Sequence, residues 1–167
     1  FGFFRRGSHE LVPVSDCLLQ PGEAAACASA VCDFMRERRI PAYDPVSGRG
    51  AVRHVFVRRS RSGAAVCCVV SAEGLGPDTS ALPEYLLRRC PSLSGVVLNI
   101  NRTRGNTVLS GDFYTLYGSS ELTDTLCGFD FSLSPQSFFQ INPPQAEKLY
   151  DIAVAHAAPP GTGTVLD

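Results

Sequence analysis

The apolar positions along the chain change period several times, and each change marks an element. Between residues 22 and 39, Cys27, Val31, Phe34 and Met35 recur at helical spacing while Arg36, Glu37 and Arg39 fall largely off that face. Pro21-Gly22-Glu23 opens this helix and Pro41, which cannot donate a backbone hydrogen bond, stops it. Before it, Phe3, Phe4, Leu11, Val12 and Val14 flank the turn signal Arg6-Gly7-Ser8, which predicts a short hairpin over residues 2–14. After a turn-rich stretch over 42–50, a strand runs from Val52 to Arg59 with Val55 and Val57 on one face. Ser60-Arg61-Ser62-Gly63 links it to a second strand, Ala64 to Val70. Asp78-Thr79-Ser80 is suited to cap a second helix reaching Cys90, with Leu82, Leu86 and Leu87 inward; Pro91 ends it, and Gly95 to Asn101 returns to strand. Shorter strands are expected at Thr107 to Leu109, Tyr114 to Leu116, Glu121 to Leu126 and Phe129 to Leu133, with Phe129, Phe131 and Leu133 sharing a face.

The order strand, helix, strand, strand, helix, strand predicts an α+β fold: a split βαβ-type antiparallel sheet with two helices on one face. The last segment changes character. Asn142 is a good helix cap, Pro143 fits the first helical position, and Gln145 completes a capping-box-like spacing ahead of Ala146, Leu149, Ala153 and Ala157. Beyond Pro159-Pro160-Gly161, Thr164-Val165-Leu166-Asp167 reads as a buried strand ending on an aspartate. Helix, tight turn and apolar strand are how a Rossmann-like domain begins. The expected division is therefore a central domain over 1–127 and, over 128–167, a loop, a hinge helix and the start of a second domain. Phe1 stands within an apparent strand, so the chain is expected to be an internal piece of a longer protein.

Composition narrows the class. With 167 residues and 44% hydrophobic content, the chain can bury a real core. The formal net charge of −1 argues neither for nor against a nucleic-acid partner, although every basic residue except Lys148 is arginine, the better phosphate fork. Seven cysteines, an odd number without CxxC spacing, do not form a disulfide framework and point to a reducing, cytoplasmic setting. No apolar run approaches the roughly 18 residues of a membrane span. His9, His54 and His156 lack ligand spacing, so no metal site is expected.

The densest polar and aromatic cluster is Ser134-Pro135-Gln136-Ser137-Phe138-Phe139-Gln140-Ile141-Asn142. A base taken out of its stack needs a ring to lie against and amides that donate and accept along its edge, and this segment holds both. The same residues also allow a plainer reading, in which Asn142 only caps the helix, Gln140 satisfies backbone groups, and Phe138 and Phe139 belong to the core. Likewise Arg5, Arg6, Arg102 and Arg104, with Arg58, Arg59 and Arg61, stand in or beside hairpins, where they either meet RNA phosphates or form a solvated face.

The string from Phe138 to Tyr150, Phe-Phe-Gln-Ile-Asn-Pro-Pro-Gln-Ala-Glu-Lys-Leu-Tyr, followed by Thr164-Val165-Leu166-Asp167, resembles the RNA uracil-5-methyltransferase family. That family carries Phe-x-Gln-x-Asn here and then Val-Leu-Asp at its donor site. Gly2-Phe3, Gly7-Ser8, Asp16-Cys17 and the stretches Leu98 to Asn101 and Thr115 to Gly118 extend the resemblance over nearly the whole chain. It implies an S-adenosylmethionine-dependent enzyme that methylates carbon 5 of a uridine in RNA. Phe138 would contact the target uridine, Gln140 the uracil or the methyl donor, Asn142 would hold the third motif position, and Asp167 would open the donor-binding signature. Family enzymes add a cysteine thiolate to carbon 6 of the uracil from a Ser-Cys-Asn-Pro-type segment beyond the donor site. None of the seven cysteines has that context, so no catalytic residue is assigned in this chain and it is expected to be inactive alone. Many members also bind an iron–sulfur cluster through cysteines upstream of the part matched here. Ile141, where the transfer-RNA branch tends to place proline, favours 23S ribosomal RNA as substrate. The alternatives are a transfer-RNA enzyme and a non-catalytic RNA-binding module.

Overall fold

A computed structural model describes residues 1–15, 17, 18 and 20–157. Strands β1 (Gly2–Phe4) and β2 (Leu11–Pro13) pair antiparallel around a turn in which Gly7 takes a positive φ of 70°. Helix α1 (Gly22–Arg38) buries Cys27, Ala30, Val31 and Phe34, a stripe at 3 and 4 residue spacing. It closes at Arg39, whose left-handed backbone lets its N–H return to the carbonyls of Arg36 and Met35.

Strands β3 (Val52–Arg59), β4 (Ala65–Ser71), β5 (Leu93–Ile100) and β6 (Asp112–Gly118) form a sheet in that spatial order. A 3₁₀ turn (Gly76–Ala81) and helix α2 (Leu82–Arg89) carry the chain from β4 to β5. The core lies on both sides of the sheet. Cys67, Val69, Val96 and Leu98 meet Phe34 of α1 and Leu82 and Leu86 of α2 on one face. Val66, Cys68, Val70 and Val97 pack with Leu122 on the other. Strands β7 (Leu122–Leu126) and β8 (Phe129–Leu133) make a separate hairpin, and helix α3 (Pro143–Ala157) follows. The division expected at residues 127 and 128 falls on the turn of this hairpin, where Cys127 and Gly128 both have positive φ.

The mixed α+β class and the two helices on one sheet face agree with the sequence reading, but the split antiparallel arrangement does not form. Strands β4 and β5 are direct neighbours and parallel, flanked by antiparallel β3 and β6. The reason is legible in β4, whose seven residues are all buried: it is an interior strand with a partner on each side. Strand β1, three residues long and largely exposed, pairs only with β2 and contributes nothing to that sheet.

Two smaller expectations also fail. Residues 107–109 are not a strand, because the buried Asn101 side chain captures the carbonyls of Thr107 and Val108 at 2.8 and 3.0 Å. Asp78-Thr79-Ser80 does not cap α2; these residues lie in the 3₁₀ turn, and the Asp78 carboxylate faces Arg38 at 3.6 Å. The strand expected over Thr164 to Asp167 lies outside the described residues.

Candidate functional site

The segment between β8 and α3 is held from three directions. Ser134 and Ser137 close a turn on themselves: the Ser137 N–H donates to the Ser134 carbonyl at 3.1 Å and the Ser134 N–H to Ser137 Oγ at 3.0 Å. Arg58, on β3, reaches across and donates from Nη2 to the Ser137 carbonyl at 2.6 Å. Burial pushes the Arg58 guanidinium below its ordinary pKa, while nearby Asp124 opposes the shift. A half-buried guanidinium fixed to a backbone carbonyl is a positional constraint on the residues that follow.

At the other end Asn142 Oδ1 accepts the Gln145 N–H at 3.3 Å, and the Asn142 carbonyl accepts the Ala146 N–H at 3.0 Å. Asn142 is thus the N-cap of α3, with Pro143 at the first helical position. The third anchor is Glu147 on α3. Its Oε1 accepts from Arg61 Nη2 at 3.0 Å and from the Cys127 N–H at 3.2 Å, joining the helix to the β3–β4 and β7–β8 turns. The buried Asp124 carboxylate adds to this junction by accepting the Arg61 N–H at 3.0 Å.

Between these anchors the two phenylalanines part company. Phe139 turns inward, its ring 6.0 Å from that of Phe131. Phe138 is 85% exposed and Ile141 96% exposed, so the reading that puts both phenylalanines in the core holds for neither in full and fails outright for Phe138. Gln140 donates from Nε2 to the Tyr150 hydroxyl at 3.3 Å, and no other hydrogen bond of its side chain occurs among the described residues. An exposed ring two residues from an oriented amide, on a pinned loop, is suited to hold a planar heterocycle by stacking and by its polar edge. Asp167 lies outside the described residues.

The expected basic residues separate into three groups. Arg5 pairs with Glu10 at 3.0 Å beside Arg6 on the exposed β1–β2 turn. Arg102 and Arg104 line a concavity together with Tyr43, Arg49 and Arg53, three residues that the sequence pattern did not single out. Arg59 and Arg61 are engaged by Glu23 and Glu147. The roles of Tyr150 and Glu147, both on α3, were also missed. Cys27, Cys32, Cys67, Cys68, Cys90 and Cys127 are free thiols; burial pushes Cys68 and Cys90 up to about 12, which makes them poor nucleophiles. Among the described residues no group of three or more His, Cys, Asp or Glu side chains could hold a metal ion, and no helix is long and apolar enough to cross a membrane.

No family model matches the chain. Individual relatives do. It is 35% identical over 167 residues to an uncharacterized RNA methyltransferase of Caldanaerobacter subterraneus, covering 99% of this chain and 37% of that protein. An uncharacterized RNA methyltransferase of Clostridium acetobutylicum is 32% identical over 99% of the chain and 36% of its own length, and one from Streptococcus pyogenes is 34% identical over 92% and 34%. Among solved structures, the Pyrococcus abyssi tRNA (uracil-54, C5)-methyltransferase in complex with S-adenosyl-L-homocysteine superposes with a TM-score of 0.74 at 20% identity. That match covers 94% of this chain and 37% of that one, and it establishes a shared fold. The chain is a homologue of proteins named RNA methyltransferases, and it spans a little over a third of their length.

Proposed function

We propose that the protein containing this chain transfers a methyl group from S-adenosylmethionine to carbon 5 of a uridine in RNA, and that residues 134–150 form one wall of the uridine site. The observation that carries this reading is the 35% identity to an RNA methyltransferase sustained over 99% of the chain. The fold shared with a solved tRNA (uracil-54, C5)-methyltransferase supports the choice of uracil carbon 5, and its bound S-adenosyl-L-homocysteine supports the choice of donor.

In this reading Phe138 supplies the ring on which the uracil lies. Burying an exposed phenylalanine face against a base gains about 1–3 kcal/mol, the range for base–aromatic stacking. Gln140 Oε1, with no protein donor among the described residues, accepts the uracil N3–H, while Nε2 stays oriented by Tyr150. Asn142 acts through α3, whose cap sets the angle at which the loop leaves the helix. S-adenosylmethionine supplies an electrophilic methyl group; within this chain the proposed donor contact is Asp167, with Gln140 as the described residue able to face the donor or the uracil. No nucleophile is assigned, and residues 1–167 alone are expected to be inactive. The free thiols accord with a reducing, cytoplasmic location.

Ile141 favours 23S ribosomal RNA as the substrate. A transfer-RNA substrate is the second reading, favoured by the solved structure that shares the fold. A binding module that uses an open sheet face is disfavoured, since Val66, Val69 and Val97 are buried on the two sides of the sheet.

The test is a labelled-methyl assay with the full-length protein on 23S rRNA and on tRNA transcripts, followed by nucleoside analysis. We expect 5-methyluridine in the ribosomal transcript, and its loss in Gln140→Ala with the fold retained. Label in the tRNA alone would transfer the substrate assignment, and label in neither RNA would refute the reading.

A further inference from the structure

The concavity lined by Arg102 and Arg104, of about 460 Å³, lies where the turn over 43–50 meets the loop that follows β5. Its charge is out of keeping with the rest of the molecule. Eight arginines are ion-paired to carboxylates within 4 Å, which leaves Arg6, Arg39, Arg49, Arg53, Arg58 and Arg104 without such a partner among the described residues. Three of those six line this one cavity, on a chain whose net charge is −1. The fourth arginine there, Arg102, pairs with Asp112 at 3.4 Å, with both side chains well exposed, a contact weak enough for a stronger anion to displace. Glu73 is the single carboxylate on the lining.

The construction of the cavity explains how like charges are kept together. Arg53 projects from β3 and donates from Nη1 to the carbonyls of Asn101 at 2.9 Å and Thr103 at 2.5 Å, and from Nη2 to that of Gly105 at 3.4 Å. Its guanidinium carbon also lies 4.7 Å from the centroid of the Tyr43 ring. Neutral carbonyls satisfy its N–H groups without cancelling its charge, and its Nε is buried with no partner. Arg53 thus shapes the very loop that carries Arg102 and Arg104. Asn101 braces the same loop from below, accepting the Thr103 N–H at 3.1 Å. On the facing turn Gly48, at φ 70°, leaves open the space where a Cβ would stand 3.4 Å from Arg104 Nη2. The exposed Asp44 carboxylate accepts the N–H groups of Val46 and Ser47. Its affinity for protons is lowered by the Ser47 hydroxyl first and by those backbone bonds after it, so it holds the turn as an anion.

The geometry points to a phosphate-binding site for the backbone of an RNA strand, with Arg49, Arg102 and Arg104 as donors and Arg53 as the residue that positions them. This inference rests on the proposed RNA substrate. Several guanidinium forks on one concave wall match the two non-bridging oxygens of a phosphodiester, and a cavity of this volume admits the phosphate with its flanking ribose. The site would grip the strand without reading its sequence.

The test uses the full-length protein and a fluorescently labelled single-stranded oligoribonucleotide, with affinity measured by anisotropy over a range of salt. In the double variant Arg49→Gln, Arg104→Gln, the slope of log affinity against log salt should fall by about 0.7, the value for one lost phosphate contact, with affinity reduced alike for unrelated sequences. Thermal unfolding should be unchanged, because neither side chain has a carboxylate partner to lose. Arg102→Gln should lower affinity in the same sequence-independent way, with a slope change no larger than about 0.7. Unchanged slope and affinity in the double variant would overturn the site, and so would a wild-type protein with no RNA affinity. Inorganic phosphate that shifts the Arg104 side-chain NMR signals while RNA does not would overturn the RNA assignment. Methyl transfer is measured on the same variants at saturating RNA. A protein that transfers methyl groups but ignores the substitutions defeats this inference alone, and one that loses affinity on substitution yet transfers no methyl group defeats the proposed function alone.

Discussion

Strand β4 and strand β8 are both short and rich in apolar residues, yet all seven residues of β4 are buried while four of the five in β8 are exposed. Helices α1 and α3 repeat the contrast: α1 buries four side chains in the sheet core, whereas α3 buries only Ala146 and leaves Leu149, Ile152 and Val154 in solvent. The four-stranded sheet with α1 and α2 is stabilised by burial of apolar surface. The β8–α3 region takes its shape from a few directed bonds, chiefly Arg58 to Ser137, Asn142 to Gln145, and Glu147 to Arg61 and Cys127. A recognition loop benefits from this second kind of construction. Its backbone is fixed while its rings stay available, and the core does not have to rearrange when a ligand arrives.

The largest expected effect comes from attacking the first region. Phe34 is fully buried, with Tyr85 packed edge-on at 5.1 Å between ring centroids, so Phe34→Ala should destabilise the chain by about 3–5 kcal/mol in urea unfolding. Ile152→Ala, on the open face of α3, should change stability by less than about 0.5 kcal/mol in the same 167-residue chain. Equal losses at both positions would erase the distinction between the regions.

A smaller effect follows from His54, on the β3 edge of the sheet. Burial, and then the charge of Arg53, push its pKa below the ordinary value of 6.5. The folded chain therefore favours neutral His54. Its contribution is complete above about pH 6.5 and is lost as pH falls through the folded-state value, because the unfolded chain takes up the proton first. Unfolding free energy measured from pH 7.5 to 5 should thus fall less steeply in His54→Gln than in the wild type. An identical slope in both would remove His54 from this balance.

Much of the local structure was legible because periodicity reports which face of an element is apolar. Strand β3 begins and ends where the alternation places it, α1 is found within a residue of its expected bounds, and Asn142-Pro143 marks the start of α3. Periodicity does not say which strands are neighbours, so the order of the sheet and the parallel pairing of β4 with β5 were not accessible. Nor could spacing separate Phe138 from Phe139, adjacent residues of one type; contact with the Phe131 ring on β8 decides which turns toward the protein. The arginines show the same limit. Whether a guanidinium is spent or available depends on the carboxylates brought near it in space, so Arg59 and Arg104 look alike in sequence and differ in the fold.

The β8–α3 segment is proposed to present Phe138 to a uracil while the sheet only supports it. Phe138→Ala in the full-length protein, read in parallel by thermal unfolding and by labelled-methyl transfer to RNA, tests this most directly. The expected result is an unchanged unfolding temperature, because the ring is 85% exposed, together with a loss of transfer of about fivefold or more, as expected when a stacking contact of about 1–3 kcal/mol is removed. Transfer at the wild-type rate with the same unfolding temperature would contradict it.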